Sequence, residues 1–282
     1  MGKWWPLFLS LLVAPVASHC QSGPARLPAI SPCGNKRYQD SLVAKYIEHG
    51  AQRFSYNDPR WTQYCDSLIA ICPGIAVAYQ QKAVPLIKDG KYEAAFALEN
   101  KAAELDPKQW LAYRGFLKCI FTKDYAGAII DFQQIARLLP NGREMDHTYA
   151  FFEGLCELEL GHYPQAETCF QRDVQLQRGA DGRGDVHFNT LFYVGVLNLE
   201  MKRYEPAKTA LAQCLKAYSQ HPEANYYLGL VHRTKGNAEA AKRCFQTAQQ
   251  ALAKGYALNE DNIYYANYPR QITAYEVQQA LR

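Results

Sequence analysis

Apolar residues recur along this chain at steps of three and four. Tyr113, Leu117 and Ile120 fall at i, i+4 and i+7, as do Phe151, Leu155 and Leu158, and then Phe192, Val196 and Leu199. Tyr226 and Leu230 begin the same series, and Arg233 closes it. That period gathers each set on one face of an α-helix. The stretch "DGKYEAAFALENKAAELDP" (89–107) shows what separates the sets: a Gly, a Tyr, an Ala three residues on, an amphipathic run and a closing Asp-Pro. The pattern predicts helices in pairs, each pair joined by a tight turn.

The pairs repeat. Tyr92 precedes Ala95 by three, and Tyr125, Tyr163 and Tyr204 stand in the same relation to Ala128, Ala166 and Ala207. Ala238 takes the Tyr place before Ala241. The anchor alanines recur at intervals of 33, 38, 41 and 34. Pro73, Pro107 and Pro140 echo the period at 34 and 33. A period of this length means stacked supersecondary units. Gly90, Gly161 and Gly236 stand where a first helix ends and the backbone turns left-handed. Gly154, Gly195 and Gly229 on the first helices, with the anchor alanines on the second, leave room for close approach. The bulky members fill the space between units, so each unit buries its face only against its neighbours.

These residues resemble the tetratricopeptide repeat. "YYLGLVHRTKGNAEAAKRCFQTA" (226–248) carries the pattern most fully, through Gly229, Gly236, Ala241, Phe245 and Ala248. "FFEGLCELELGHYPQAETCFQ" (151–171) matches through Gly154, Gly161, Tyr163, Ala166 and Phe170, and "FYVGVLNLEMKRYEPAKTAL" (192–211) through Gly195, Tyr204, Ala207 and Leu211. Ala83, Gly90, Tyr92, Ala95, Ala102 and Pro107 supply the first clear copy. The resemblance implies an all-α, right-handed solenoid of five to six helix-turn-helix repeats over residues 37–255. Clear repeats start near 76, 109, 147, 188 and 222, and a degenerate one at 42–75 has Trp61 in its small-residue place. Departures include Pro85 inside a first helix, where it should kink the helix, Phe116 beside Gly115, and Asp173 in a small-residue position. The junctions at 141–146 and 178–187 are long, and the Arg183–Asp185 tripeptide in the second reads as loop composition.

The two ends differ from the middle. Residues 1–20 have an early cation, Lys3, an apolar run from Leu7 to Val13 and small residues from Ala14 to Ser18, the layout of a secretory signal peptide. Two processing readings stay open: ordinary cleavage after Val16-Ala17-Ser18, or a degraded lipobox that would place a lipid on Cys20. Residues 21–36 form a Pro-rich linker, too poor in apolar residues to pack a core. Residues 256–282 read as a C-terminal capping segment divided by Pro269. Ile272, Tyr275 and Leu281 lie near one face of a short helix. Ile263, Tyr264, Tyr265 and Tyr268 precede it in an extended stretch that either staples the cap or enters the groove near Tyr226 and Leu230.

The remaining chemistry is sparse. The formal charge is +4 with dispersed cations, and no basic run follows a phosphate backbone, so nucleic acid is not expected as a partner. The nine cysteines include no C-x-x-C, and those in repeats read as small buried hydrophobes. Cys65 and Cys72 stand two helical turns apart, too far to pair within one helix. The seven histidines make no H-E-x-x-H, and neither a P-loop nor a G-x-S-x-G occurs. Glu157 and Glu159 read as solvated charge. No metal, no cofactor and no catalytic residue is expected. The resemblance implies that positions 2, 5, 9 and 12 of each repeat line a concave groove for a protein or peptide partner. Those positions include Tyr113, Leu117, Phe151, Leu155, Phe192, Val196, Tyr226 and Leu230, an apolar and aromatic stripe. The Lys, Asn and Arg with which some members grip a terminal carboxylate are largely missing from it. The expected function is a non-enzymatic binding scaffold in the bacterial periplasm or envelope, with contact to a membrane only through a lipid on Cys20. The alternative is a fixed structural spacer without an exchangeable peptide ligand.

Overall fold

Five turns of this chain must reverse its direction within a few residues, and the backbone shows how. The computed structural model describes residues 32–256 and 267–282. Its clear helical pairs are α3 (Ala76–Lys88) with α4 (Tyr92–Leu105), α5 (Pro107–Leu117) with α6 (Tyr125–Leu138), α7 (Tyr149–Glu159) with α8 (Tyr163–Arg178), α9 (Phe188–Glu200) with α10 (Tyr204–Ala217), and α11 (Pro222–Thr234) with α12 (Ala238–Ala253). The turns inside the pairs place Gly90, Gly161 and Gly236 at φ of 71°, 76° and 78°. At the two other turns the same conformation is taken by Lys123 (φ 58°) and Lys202 (φ 59°). Each costs about 1 kcal/mol for its Cβ, which the packing on both sides offsets.

The pairs close on their small residues. A Cβ at Gly229 would lie 2.5 Å from the Phe245 ring, and one at Gly195 would lie 2.6 Å from Leu211. Gly115 approaches Phe132 in the same way, which frees neighbouring Phe116 to be large and buried against Phe152. Ala95, Ala128, Ala166, Ala207 and Ala241 are all buried. The result is an all-α solenoid whose main core runs from Ala83 to Val231. One element was not foreseen. The junction at 141–146 forms a two-residue antiparallel ladder, β1 (Arg143–Glu144) with β2 (His147–Thr148), leading into α7.

Two of the departures in the sequence answer one another. Pro85 lies inside α3 and offers no N–H to the carbonyl of Gln81, one turn back. The indole Nε1 of Trp61, on α2 (Pro59–Ile71), donates to that carbonyl at 2.7 Å. The large residue in the degenerate repeat therefore restores the bond that the proline removes. Asp173 is likewise a junction. It is buried and accepts from Thr148 Oγ1 (2.8 Å), Thr190 Oγ1 (2.6 Å) and Gln177 Nε2 (2.8 Å), so it ties α7, α8 and α9 together. Gln177 then accepts from the His187 amide at 2.6 Å, anchoring the far side of the long 178–187 loop.

The first repeat is closed differently from the others. α1 (Lys36–Val43) continues as a π-helical turn, Ala44–Glu48, and packs with α2 over Leu42, Ile47, Cys65 and Leu68. Cys33 and Cys72 form a disulfide with Cα atoms 5.6 Å apart. This corrects the reading of Cys72 as a packing residue, while Cys65 is buried and free. By chain entropy a 39-residue loop closed this way gains about 4 kcal/mol. At the other end, α13 (Ala274–Leu281) starts at Thr273 with a capping box to Glu276 and lays Val277 on α12 beside Phe245 and Ala248. Ile272 joins that cluster, but Tyr275 is 65% exposed, so Val277 takes the role expected of it. The signal segment, Cys20, most of the Pro-rich linker and Ile263 to Tyr265 lie outside the described residues.

Two stability predictions follow from these contacts. Trp61→Phe leaves the Gln81 carbonyl without its donor and should cost about 1–3 kcal/mol in denaturant unfolding; a cost within error of zero would remove the indole from this role. The second concerns Glu99, which occupies the position held by Phe132, Phe170, Leu211 and Phe245 in the later repeats. It is fully buried with neither carboxylate oxygen hydrogen-bonded, and burial pushes its pKa from 4.5 up to about 8, with nearby Arg114 opposing. The unfolded chain loses this proton near the ordinary value while the folded chain keeps it. Stability should therefore fall as pH rises from about 4.5 to about 8 and level off above. Melting curves across that window should be steeper for the wild type than for Glu99→Gln; parallel curves would contradict the assignment.

Candidate binding groove

The first helices α5, α7, α9 and α11 succeed one another along one face, and this face carries the stripe expected to meet a partner. Leu117, Phe151, Leu155, Phe192 and Val196 are buried, whereas Tyr113, Tyr226 and Leu230 are half-buried. The aromatic members lodge between neighbouring repeats. The Phe151 ring packs edge-on against Tyr193 at 5.7 Å, and Phe192 against Tyr227 at 5.6 Å. Most of the predicted stripe therefore joins first helices to each other.

What meets this face is the chain's own C-terminal segment. Tyr268 is buried in the main core cluster, and its ring lies 6.3 Å from that of His147. Burial and the adjacent His187 lower the His147 pKa to about 3, so the imidazole that stacks on Phe151 at 3.9 Å is a neutral wall of the recess. The Tyr193 hydroxyl, itself fully buried, donates to the Pro269 carbonyl at 2.8 Å. Lys123, in its left-handed turn, donates to the carbonyls of Ile120 (2.8 Å) and Asn267. Partial burial lowers the Lys123 pKa. Ile272 ends the run against the cluster that Tyr226, Tyr227 and Leu230 border.

Arg270 sits at the centre of this segment. Its Nε donates to Glu159 Oε1 at 2.7 Å and its Nη1 to Glu200 Oε1 at 2.6 Å. These bonds hold its pKa above the ordinary arginine value even though burial opposes them. Glu159 ends α7 and Glu200 ends α9, each seven residues before its anchor alanine. Successive repeats thus present one carboxylate each to the same guanidinium. Glu159 is not the solvated charge expected of it, and Glu157 is paired with His162 at 2.7 Å.

Glu200, Tyr193 and Lys123 went unread in the sequence, and Glu159 was misread. Aligning the repeats on their alanines shows the two glutamates in register, and that was the available signal. The open part of the face lies nearer the N-terminus. There α1, α3 and α5 leave a recess lined by Asp40, Val43, Val77, Gln109 and Trp110. Among the described residues no group of three or more His, Cys, Asp or Glu is placed to hold a metal ion.

Sequence profiles of the tetratricopeptide repeat match residues 189–221 and 222–251, the α9–α10 and α11–α12 pairs. Residues 189–251 are thus two tetratricopeptide repeats. Among solved structures it is similar to PilW, described as a widely conserved type IV pilus biogenesis factor. That match has a TM-score of 0.60 and 12% identity, over 82% of this chain and 98% of that one. Pseudomonas aeruginosa pilF matches with a TM-score of 0.58 and 17% identity, over 79% and 95% of the two chains. YrrB, described as a tetratricopeptide-repeat protein with an unusual peptide-binding site, matches at 0.50 and 21%, over 68% and 94%. Identities this low establish the shared fold. No curated protein sequence matches the chain significantly.

This groove makes a local prediction. Tyr193→Phe keeps the buried ring but strands the Pro269 carbonyl, and should lower unfolding free energy by about 1 kcal/mol. An unchanged transition would show that the hydroxyl does not hold the segment.

Proposed function

We propose that this tetratricopeptide-repeat protein is a non-enzymatic scaffold that binds another protein as an extended segment laid across its first helices. One observation carries the reading. This face already engages an irregular stretch of polypeptide, Asn267 to Ile272, through a buried ring, two main-chain carbonyls and a paired guanidinium. A surface that recognises backbone and side chains of one irregular segment is built to recognise segments. A further recess, at Val43, Val77 and Trp110, stands at the starts of the first helices α3 and α5.

The proposed setting is the bacterial envelope. The layout of residues 1–20 supports export, and the Cys33–Cys72 disulfide is a bond favoured outside the reducing cytosol. Among the described residues no helix is long and apolar enough to cross a membrane. Attachment would rest on Cys20 and its lipid.

The test is site-specific photocrosslinking in the native cell. A photoreactive phenylalanine at Trp110, on the inner face, should capture one protein reproducibly in the periplasmic fraction. The same group at Lys208, exposed on α10, should not capture it. Equal capture at both positions, or none at Trp110 in a folded protein, would overturn the groove as the binding surface.

A further inference from the structure

The segment that fills the groove has features of a ligand more than of a strut. Its described residues before Thr273 belong to no helix. It is fixed at discrete points: the Tyr268 ring in its recess, the Pro269 carbonyl on Tyr193, and the Arg270 guanidinium between two carboxylates. The cap that follows docks on its own account. Val277 is buried on α12 and the Thr273–Glu276 capping box closes the helix start, so α13 has its own anchorage. Release of residues 268–271 does not require release of α13.

Arg270 shows why the occupant can be exchanged. Its backbone has φ of 63°, a left-handed conformation that disfavours any residue with a Cβ. The clamp is reachable from solvent, with the side chains of Arg270 and Glu200 28% and 31% exposed. Half-buried pairs of this kind hold the segment more firmly than fully exposed ones. Their consequence is selective: with the guanidinium withdrawn, two carboxylates from adjacent repeats face each other in a partly desolvated groove, and only an incoming cation relieves them. Arginine's planar fork presents its donors to the two carboxylates in fixed directions, whereas a lysine offers a compact charge with rotatable donors.

We propose that residues 267–272 are a resident occupant of the binding groove. A protein partner displaces them with a segment of the same chemistry: an aromatic ring, a proline that opens a turn, and an arginine that Glu159 and Glu200 clamp. The proposal rests on the reading of this face as a segment-binding surface and adds what the segment must contain. The resident copy sets a threshold, because a partner binds only to the fraction of molecules whose groove is open.

The test uses full-length protein and a fluorescein-labelled peptide, Ala-Asn-Tyr-Pro-Arg-Gln-Ile, read by anisotropy. Arg270→Ala weakens the resident but leaves the groove intact, so the peptide should bind it about tenfold or more tighter than the wild type. Adding Glu159→Gln and Glu200→Gln should abolish that gain, and a peptide with alanine in place of its arginine should bind neither protein. A folded Arg270→Ala protein that binds no tighter than wild type overturns the proposal, as does equal binding by the triple variant. If Arg270→Ala does not fold, excess peptide is added to the unmodified protein and hydrogen exchange is read. Exchange should rise at Arg270 to Ile272 and stay unchanged in α13; no change at Arg270 to Ile272 overturns the proposal. Capture of a partner at Trp110 whose contacting segment lacks the aromatic and the arginine would sink this inference and leave the scaffold reading standing. No capture at Trp110, with peptide binding as expected, would do the reverse.

Discussion

Backbone-close contact between the two helices of each pair is the constraint from which the rest of this molecule follows. Gly229 against Phe245 and Gly195 against Leu211 leave no room for even a methyl group. With one side of the crossing reduced to glycine or alanine, the large side chains are displaced to the borders between pairs. There Phe116, Phe152, Phe132, Phe151 and Tyr193 interleave, with Phe132 stacked on Phe152 at 5.1 Å. A pair taken alone would present those rings to water. Stability is therefore shared between neighbours, and both ends of the array need separate closure. The N-terminal end is closed by the Cys33–Cys72 bond and a repeat with tryptophan in its small place. At the C-terminal end, a two-turn helix sets Val277 on α12.

The same constraint explains how the array tolerates irregularity. A solenoid transmits a local defect only to adjacent units, so a defect can be corrected by whatever the adjacent unit offers. Pro85 removes a helical hydrogen bond and Trp61 of the preceding unit supplies it. Asp173 puts a charge where a small residue is usual, and two threonines of its own and the next first helix satisfy it. Glu99 has no such rescue; it is held uncharged instead.

What the sequence disclosed follows the range of the interactions. Turn glycines, anchor alanines and the crossing glycines act within one helical pair, and all were visible as a period in the chain. Lys123 and Lys202 in the remaining turns carry no compositional mark, because a left-handed lysine looks like any other surface cation. The disulfide joins residues 39 apart and lies outside the repeat period. The groove was half legible. Phe151 and Phe192 stand on the first helices as expected, but packing between repeats absorbs them. The residues that grip the segment stand beside or beyond them. Tyr193 and Tyr227 follow the predicted positions by one, and Glu159 and Glu200 lie at the helix ends. The partner of both glutamates is 111 and 70 residues away, and no periodicity reports a contact of that kind.

The glutamates also show how a scaffold of near-identical units acquires direction. In a regular array every unit presents the same surface, and an extended segment could slide by one repeat with little change in contact. Here only α7 and α9, among the five clear pairs, end in glutamate; the corresponding positions elsewhere are Lys88, Phe121 and Thr234. A guanidinium therefore finds two carboxylates at one place along the groove. From that fixed point Pro269 meets Tyr193, and Ile272 reaches the cluster beside Leu230. The buried Tyr268 and Ile272 supply apolar area without register, and the pair of charges supplies register without much area. Together they define one position and one polarity for residues 267–272, and neither could do so alone.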